Sequence, residues 1–273
     1  PLVDANLIDE VLSQLPSGKE ADVYVVYSEG EYRCAKIYKE SNNRSFKQRA
    51  LYTEGRKVRN SRQSRAMSSN NKSRYGQEQA ESEWMGVEVE ALHKLAEANV
   101  VVPTPYAIYE GVLLLEMIAG ADGEAAPRLD EVNLTPDLAR KYYKFLIREV
   151  VKMLCAGYVH GDLSEFNILV SKKGPVIIDL PQAVLATSNN AAAIFERDIV
   201  HLCRYFGRYA PEISETKYAK EMWALFLKGK LRPNTKLTGL FKESTKKVDI
   251  TEVMSEIEDA REEEMERRRN DES

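Results

Sequence analysis

The sequence predicts an α+β protein of two lobes, a strand-rich lobe over residues 1–118 and a mainly helical lobe over residues 119–273. The chain has 273 residues, of which 43% are hydrophobic, and this is enough to bury a sizeable core. Runs rich in β-formers at residues 21–27 and 32–38 flank a short turn, a pattern typical of a hairpin. In the second half, apolar residues recur at helical spacing, which favours helices there.

The first lobe is predicted to begin with a helix over residues 3–15, because its apolar residues fall on one helical stripe. They are Leu7, Ile8, Val11, Leu12 and Leu15. After the hairpin, a second helix is predicted over residues 79–98. Short extended pieces at 100–102 and 106–109 and an apolar strand at 112–117 then complete the lobe.

The second lobe is predicted to open with a long helix, because Thr135 offers an N-cap hydroxyl and Pro136 suits the first helical position. Gly157 is predicted to end this helix. Two short strands are predicted at 168–170 and 176–178. Two further helices are predicted to begin near residues 191 and 215.

Charge is unevenly distributed along the chain. Residues 41–80 hold ten basic and two acidic side chains, and apolar periodicity fades after residue 52, so at least 60–80 is predicted to be a flexible loop. Such a segment either contacts RNA, an acidic partner or substrate phosphates, or is simply a solvated insertion. Residues 256–273 reverse the sign, with nine acids and four arginines, and are predicted to form an exposed helix.

Composition excludes several classes of protein. The net charge of −4 gives no global sign of nucleic-acid binding. No apolar run approaches the ~20 residues that a membrane helix needs, so no membrane association is expected. The three cysteines are odd in number and widely spaced, which favours a reducing, cytoplasmic location.

The sharpest chemical signal is the sequence HGDLSEFN at residues 160–167. Asp162 and Asn167 are five residues apart, the spacing of the catalytic loop that kinases use. In that loop the aspartate accepts the proton of the attacking hydroxyl, and the amide oxygen helps to hold Mg²⁺. The alternative is a local turn capped by the aspartate. Asp179 ends a nearby apolar strand, where a second oxygen ligand for Mg²⁺ is expected.

A lysine and a glutamate of the first lobe are candidates for gripping the nucleotide. Lys36 lies in the strand sequence CAKIY, which is similar to the kinase V-A-I-K pattern, although a lone strand lysine is usually a surface charge. Glu88 falls in the middle of the predicted buried stripe of the second helix, where an unpaired carboxylate is costly. Lys36 is the expected partner of Glu88, unless the helix is rotated and Glu88 is solvated.

Taken together, these residues make the chain resemble the RIO family of atypical protein kinases. The resemblance rests on SGKEADVY at 17–24, KIYK at 36–39, HGDLSEFN at 160–167, and Asp179, and it spans residues 1 to about 230. The basic insertion and the sequence APRL at 126–129 are most similar to the first RIO subfamily. The chain is expected to lack the winged-helix domain of the second subfamily.

The resemblance implies a two-lobed, protein-kinase-like fold with a truncated second lobe that lacks an activation segment and peptide-binding helices. It implies that Asp162 is the catalytic base, that Asn167 and Asp179 bind the metal, and that Lys36 and Glu88 position the phosphates. The other nucleotide contacts that it implies come from Ser17, Gly18, Lys19, Val23, Glu116 and Ile118, the last two at the hinge.

Four features in and around the catalytic loop at 160–167 lead to further predictions. His160 is expected to orient the catalytic loop, and Asp198 either braces that loop or is a surface acid. Two positions depart from the family pattern. Gly161 replaces a common alanine, and the sequence LPQA at 180–183 replaces the usual Ser-Gln after the metal-binding aspartate.

The resemblance therefore implies an ATP- and Mg²⁺-dependent serine/threonine protein kinase, with Mn²⁺ as a possible substitute, that also autophosphorylates or hydrolyses ATP. One alternative is a nucleotide-gated factor in ribosomal small-subunit assembly that contacts RNA or a ribosomal subunit through residues 41–80. Another is a small-molecule phosphotransferase of the aminoglycoside type. That family shares the HGDL pattern but usually has His-Pro-Gly where this chain has residues 164–166.

Overall fold

The computed structural model describes residues 7–18, 21–38 and 74–242. The predicted helix at 256–273 and residues 41–73 of the basic insertion lie outside these ranges. Within the described part of the chain, no helix is both long and apolar enough to cross a bilayer.

Among its described residues, the first lobe consists of a five-stranded antiparallel sheet and one long helix. Their bounds are β1 Glu10–Leu15, β2 Ala21–Ser28, β3 Glu31–Tyr38, α1 Arg74–Glu97, β4 Pro105–Tyr109 and β5 Val112–Glu116. The strand order is β1-β2-β3-β5-β4, so β3 lies at the centre of the sheet. The predicted hairpin is confirmed, and its two-residue turn, Glu29 and Gly30, has positive φ at both positions, as the twist of a tight hairpin favours.

The predicted helix over residues 3–15 is wrong where the structure describes it. Residues 10–15 form β1, which pairs along its length with β2, from Glu10 opposite Tyr27 to Leu15 opposite Val23. The apolar stripe does not mark a buried helical face, because Ile8 is buried whereas Val11 is 52% exposed. Backbone pairing with a neighbouring strand outweighs the local spacing of apolar residues in this segment.

The two faces of the sheet have different roles. Ala35 and Val26 lie on the outer face, where Ile8 and Leu114 complete a small apolar cluster. The alternating residues Lys36 and Tyr38 of β3 lie on the other face, toward α1 and the second lobe. The sheet therefore presents its polar strand residues to the space between the lobes.

Helix α1 begins five residues earlier than predicted. Residues 74–80, expected to be loop, are helical. They lack apolar periodicity, but Gln, Glu and Ala are strong helix formers, so propensity rather than amphipathicity extends the helix. Residues 100–102, expected to be extended, form no strand, although the Val101 amide donates to the Glu149 carboxylate at 2.8 Å and its carbonyl accepts from Ile177 at 3.1 Å.

Up to residue 242, the second lobe contains the long predicted helix, one β-hairpin and a second short pair of antiparallel strands. Its elements are α2 Pro136–Cys155, β6 Tyr158–Val159, β7 Ile168–Ser171, β8 Gly174–Ile177, β9 Val184–Leu185, α3 Ala191–Gly207 and α4 Tyr218–Leu227, with 3-10 turns at Leu129–Glu131, Glu165–Asn167 and Pro211–Glu215. The Thr135 hydroxyl accepts from the Leu138 amide, so the predicted N-cap of α2 is confirmed. Gly157, with φ of 84°, follows the end of α2 as predicted.

One hydrophobic core connects the two lobes. Leu92 and Leu95 of α1 and Leu113 of β5 belong to the same buried cluster as the apolar faces of α2 and α3. The chain up to Leu240 forms one compact unit that contains both lobes, and the lobe boundary at 118/119 stays a prediction.

Candidate active site

Lys36 lies at the centre of the sheet and reaches across to the second lobe. Its backbone pairs with Val23 of β2 on one side and Leu113 of β5 on the other, so the strand is held on both edges. The Lys36 Nζ lies 2.8 Å from Glu88 Oε1, 2.9 Å from Glu88 Oε2 and 2.6 Å from Asp179 Oδ1. The cation of the first lobe thus joins two carboxylates that are distant in sequence.

Glu88 is buried, with 1% of its surface exposed, as the position of the residue on the helix predicts. Three donor groups make four hydrogen bonds to its carboxylate. Besides both contacts from Lys36, the Tyr38 hydroxyl donates to Oε2 and the Leu180 amide donates to Oε1 at 3.3 Å. Because its lone pairs are engaged, the buried charge is both paired and hydrogen-bonded.

Sequence reasoning missed the contacts of Tyr38 and Leu180. The alternation of β3 placed Tyr38 on the same face as Lys36, and this signal was sufficient to predict that it lies near Glu88. Burial raises the pKa of Tyr38, and the Glu88 charge raises it further, so the phenol stays a donor. The Leu180 contact had no signal in the sequence, because a backbone amide carries no residue-specific pattern.

Lys36 and Asp179 hold each other in their charged forms. Burial alone would lower the pKa of Lys36, but Glu88 and Asp179 together raise it well above its usual value. Burial alone would raise the pKa of Asp179, but the charge and hydrogen bond of Lys36 hold it below its usual value. An ammonium is therefore fixed beside a carboxylate that is ready to bind a cation.

The catalytic-loop candidates Asp162 and Asn167 are held together by hydrogen bonds. Asn167 Nδ2 donates to the Asp162 carbonyl at 2.8 Å and to Asp162 Oδ2 at 3.1 Å. Both amide hydrogens are used in this way, so the amide oxygen of Asn167 is the atom available to a metal. Asp162 is exposed, which leaves its carboxylate accessible to a substrate hydroxyl.

His160 connects the catalytic loop to the strand that precedes Asp179. The imidazole Nδ1 accepts from the Asp162 amide at 3.2 Å, so Nε2 carries the proton and donates to the Ile178 carbonyl at 3.0 Å. The ring is buried, with 2% exposed. These contacts support the expectation that His160 orients the loop.

Asp198 of α3 supports the catalytic loop through a hydrogen bond. It is buried, and its Oδ2 accepts from the Gly161 amide at 2.8 Å. The neighbouring Arg197 donates to the Gly161 carbonyl, so both backbone polar groups of Gly161 have partners on α3. Burial raises the pKa of the Asp198 carboxyl despite its amide donors. Of the two alternatives, the structure therefore places Asp198 as a brace and not as a surface acid.

The two departures from the family pattern meet in space. Gly161 has φ of +87°, and a Cβ at this position would lie 2.1 Å from the Gln182 carbonyl oxygen. The segment after Asp179 thus approaches the catalytic loop so closely that only glycine fits. Asp179 itself has φ of 66°, an uncommon conformation that turns the chain at the end of the apolar run.

The phosphate-loop candidates Ser17 and Gly18 lie between β1 and β2, and Lys19 lies outside the described residues. Gly18 is exposed, and apart from its chain neighbours no atom of the described residues lies within 4 Å of where a Cβ would be. Val23 lies opposite Lys36 in the register of β2 and β3. The structure therefore places Val23 beside the lysine, while the other two lie in the loop before it.

The hinge candidates Glu116 and Ile118 follow β5. The Glu116 carboxylate accepts from the amide and hydroxyl of Thr104, at 3.1 and 3.0 Å. The Ile118 carbonyl accepts from the Ala126 amide at 2.8 Å, and within the described ranges the Ile118 amide has no backbone acceptor. One donor at the hinge thus remains available for a ligand.

The oxygen donors present suit a magnesium ion carried by phosphates. Residues 168 and 177 pair, and the Ile178 amide donates to the Asn167 carbonyl at 3.0 Å, so Asn167 and Asp179 start and end the same ribbon. No group of three His, Cys, Asp or Glu suited to a metal occurs among the residues described. Mg²⁺ commonly uses one or two carboxylates and completes its shell with water and phosphate.

The chain is similar to known proteins over most of its length. The sequence profile of the RIO domain matches residues 22–219. The chain is 30% identical over 213 residues to the serine/threonine-protein kinase rio1 of Schizosaccharomyces pombe, covering 76% of this chain and 40% of that protein. It is 31% identical over 216 residues to the human serine/threonine-protein kinase RIO1, covering 77% and 35% respectively.

An archaeal relative is covered more fully. The RIO-type serine/threonine-protein kinase Rio2 of Methanocaldococcus jannaschii is 30% identical over 226 residues, which cover 79% of this chain and 74% of that protein. The chain thus spans less than half of the two eukaryotic relatives and about three quarters of this one. Because similar proteins include both Rio1 and Rio2, membership of the first subfamily stays a prediction.

Solved structures agree on the fold. The Rio2 kinase of Chaetomium thermophilum aligns with a TM-score of 0.62 and 24% identity, covering 81% of this chain and 64% of that one. A complex of Rio2 kinase from the same organism with ADP, Mg²⁺ and phosphoaspartate aligns with a TM-score of 0.58 and 20% identity, covering 84% and 73%. The two-lobed, kinase-like fold predicted from the sequence is confirmed.

Proposed function

This chain belongs to the RIO domain family, and from that premise we propose that it is an ATP- and Mg²⁺-dependent serine/threonine protein kinase. One observation carries the proposal: Lys36 contacts both Glu88 and Asp179 through hydrogen bonds of 2.6 to 2.9 Å. A single ammonium thereby joins the sheet of the first lobe to the acidic loop of the second, which is the arrangement that phosphoryl transfer requires.

The nucleotide binds between the lobes in this proposal. The Ile118 amide at the hinge donates to the adenine, and the sheet residue Val23 covers the base or ribose from above. The loop that contains Ser17, Gly18 and Lys19 contacts the phosphates through backbone amides and the Lys19 charge. Lys36, kept in place by Glu88, contacts the α- and β-phosphates.

Phosphoryl transfer then uses residues of the catalytic loop. The exposed Asp162 carboxylate accepts the proton of a serine or threonine hydroxyl as that oxygen attacks the γ-phosphorus. Its orientation is maintained by Asn167, which donates to it, and by the His160 ring, which accepts from its amide. Catalysis is mainly positioning and electrostatic stabilisation, because phosphoryl transfer asks little covalent chemistry of the protein.

Asn167 and Asp179 are the residues that would hold the metal, and Mn²⁺ could replace Mg²⁺ on the same oxygen atoms. A bound metal would supply positive charge that neutralises the negative charge developing on the transferred phosphate. The low pKa of Asp179 keeps this carboxylate ionised for the purpose.

A second candidate function is ATP turnover that serves as a switch. A related Rio2 kinase structure contains ADP, Mg²⁺ and phosphoaspartate. In this chain, Asp179 is the carboxylate of the second lobe that contacts Lys36. In this reading an Asp179 oxygen bonds to the γ-phosphorus of ATP while the bond from that phosphorus to the bridging oxygen breaks, and ADP leaves. Water later hydrolyses the acyl phosphate and releases phosphate.

The switch reading includes an RNA or ribosomal partner, which the basic segment at 41–80 is proposed to contact. Deleting residues 56–74 should then abolish a salt-dependent affinity for RNA. Three free thiols, Cys34, Cys155 and Cys203, support a reducing location such as the cytoplasm.

The test follows label from γ-³²P-ATP into protein, small molecules and free phosphate separately, for the wild type and for Asp162→Ala and Asp179→Ala. Label on serine or threonine that depends on both residues supports the kinase. Hydroxylamine-labile label that depends on Asp179 supports the acyl-phosphate switch, and label on an aminoglycoside supports the third alternative. Full turnover in both variants would show that the site is wrongly assigned.

A further inference from the structure

A basic groove lies on the second lobe, apart from the nucleotide site. It has a volume of about 320 Å³ and runs between the exposed face of α2 and the turn that joins β7 to β8. Its cations are Lys141, Lys144, Arg148, Lys172 and Lys173. The first three are spaced three and four residues apart and therefore lie on one face of α2. No carboxylate lines the groove.

The five cations of this basic groove are unpaired within the described ranges. None of them forms an ion pair or a side-chain hydrogen bond with another described residue. The neighbouring Arg140 behaves differently, because it pairs with Asp137 at 2.8 Å and with Glu212 at 2.5 Å. Five like charges around one groove repel one another, and they do so in a chain whose net charge is −4. An anion in the groove would relieve that repulsion.

Aromatic side chains alternate with these cations. Tyr142 and Phe145 line the same groove and are half-buried, so each ring has one side packed on the core and part of its surface open. Cations that follow a phosphate backbone, interleaved with rings on which bases stack, are the combination that binds single-stranded nucleic acid. An acidic peptide would use the cations but gain little from the rings.

We infer that the basic groove binds single-stranded nucleic acid, with the five cations on its phosphates and the Tyr142 ring against a base. This site is independent of the basic segment at 41–80 and of phosphoryl transfer.

The position of the groove also relates it to the active site. The ribbon of β7 and β8 starts after Asn167 and ends before Asp179, whereas Lys172 and Lys173 lie at its turn. Four residues of strand separate the two ends, about 13 Å at 3.3 Å per residue. A strand in the groove therefore lies at the far end of the ribbon and does not occupy the nucleotide site.

The test measures fluorescence anisotropy of a labelled 12-nucleotide oligouridylate, and of the matching oligothymidylate, with the whole chain at 50 to 200 mM KCl. In Lys172→Gln/Lys173→Gln we expect affinity to fall about tenfold at 50 mM. The slope of log affinity against log salt should flatten by about 1.4, because each phosphate contact on a single strand contributes about 0.7. Tyr142→Leu keeps apolar bulk, and should weaken binding at least about fivefold with the slope unchanged.

The matched control is Lys228→Gln/Lys230→Gln, which removes two exposed charges outside the groove. Its affinity should change less than twofold, and ATP turnover should be unchanged in every variant, which shows that the fold is intact. Equal affinity for both oligonucleotides supports recognition of any single strand, and tighter RNA binding supports a 2′-hydroxyl contact.

Three outcomes overturn the inference: wild-type affinity in the Lys172/Lys173 variant, an equal loss in the Lys228/Lys230 control, or displacement by an equimolar decaglutamate peptide with no effect of Tyr142→Leu. The last outcome would make the groove a site for acidic peptides. None of these three outcomes affects the phosphoryl-transfer proposal, because that proposal is tested separately with the Asp162→Ala and Asp179→Ala variants.

Discussion

At the scale of single residues, the site depends on how each buried charge is paired. Glu88 and Lys36 are both nearly inaccessible to water, and neither would be tolerated there alone. The Tyr38 hydroxyl and the Leu180 amide also donate to the Glu88 carboxylate, so Lys36 is not its only partner and can donate to Asp179 as well. The geometry of the cation is therefore decided by its neighbours as much as by its own side chain.

Replacing Asp162 by Asn should lower the turnover number by about 10² to 10⁴, because Asn cannot accept the substrate proton. Affinity for ATP should be nearly unchanged, since Asp162 contacts neither Lys36 nor Glu88. Single-turnover kinetics and nucleotide titration measure the two quantities. Glu165→Gln is the matched control, as it removes a carboxylate from the same loop that pairs only with Arg208 among the described residues. Equal rates in the two variants would contradict the assignment of the base.

Tyr38→Phe should destabilise the protein by about 1–3 kcal/mol, because a buried carboxylate loses a hydroxyl donor. The KM for ATP should rise more than the turnover number falls, since the change loosens the group that positions Lys36. Urea unfolding and steady-state kinetics check the two effects. Tyr27→Phe removes a hydroxyl from an exposed tyrosine of β2 and should leave both quantities unchanged. A KM for ATP that is unchanged in Tyr38→Phe would contradict the proposal that Tyr38 helps to position Lys36.

The pairing of Lys36 with Asp179 predicts a pH dependence of stability. The pKa of Asp179 is lower in the folded state than the ~3.9 of an unfolded chain, so its contribution is present above that pH and is lost as pH falls through the folded pKa. The pKa of Lys36 is raised above ~10.4, so its contribution is lost only when pH rises beyond that value. Between about pH 5 and pH 9 neither contribution should change.

Asp179→Asn tests this dependence by urea unfolding at pH 7 and below pH 4. The wild type should exceed the variant in stability at pH 7, and the difference should shrink in acid, where the wild-type carboxyl becomes protonated. A difference of the same size at both values would mean that the ion pair contributes nothing to stability.

At the scale of elements, the catalytic loop and the segment after Asp179 are fitted to each other. His160 donates to the strand that precedes Asp179, and Asp198 of α3 accepts from the peptide that contains Gly161. The close approach of Gln182 removes the room for any side chain at position 161. The two sequence departures from the family pattern therefore form one structural adaptation.

Gly161→Ala should destabilise the protein by roughly 1–3 kcal/mol, because it combines an unfavourable positive φ with a contact to backbone. Chemical denaturation measures the change. Gly86→Ala in α1 is the matched control, since outside its own helical turn no atom that the structure describes lies within 4 Å of its added Cβ, and alanine is the better helix former by about 1 kcal/mol. A Gly161→Ala protein as stable as the wild type would show that the two loops separate easily.

At the scale of the whole molecule, two kinds of contact hold the lobes together. The apolar core continues from α1 and β5 into α2 and α3. Polar contacts join the lobes at several places, and one of them is the site where Lys36 contacts Asp179 and Glu88 accepts from the Leu180 amide. In the proposed function a nucleotide between the lobes contacts Lys36 and the loop of Asp179, so nucleotide binding and lobe association should be linked.

Mg²⁺-ATP at a hundredfold excess over its Kd should stabilise the protein by about 2.7 kcal/mol, because it binds only the folded state. Removing the metal with EDTA at the same ATP concentration should lower Tm. In Asp179→Asn this metal-dependent increment should largely disappear, whereas Asp122→Asn, an exposed aspartate outside the site, should keep it. An increment that is equal in both variants would argue against Asp179 as a metal ligand.

The sequence by itself determined the features whose signals are local or strictly periodic. The hairpin, the N-cap of α2 and the spacing of Asp162 and Asn167 are of this kind, and so is the inward position of Glu88 on its helix. These predictions hold because turn chemistry, capping and helical period act over a few residues.

Only the tertiary structure decided what depends on distant partners. Residues 10–15 became a strand because β2 supplies their hydrogen bonds, and the stripe of apolar residues was overridden. Lys36 reached Asp179, 143 positions later, and Gly161 met the Gln182 carbonyl, because the packing of the lobes sets these distances. The basic groove likewise joins charges of α2 to those of a turn 24 or more residues away. No local sequence pattern encodes such contacts, because each depends on how elements distant in sequence pack together in the folded core.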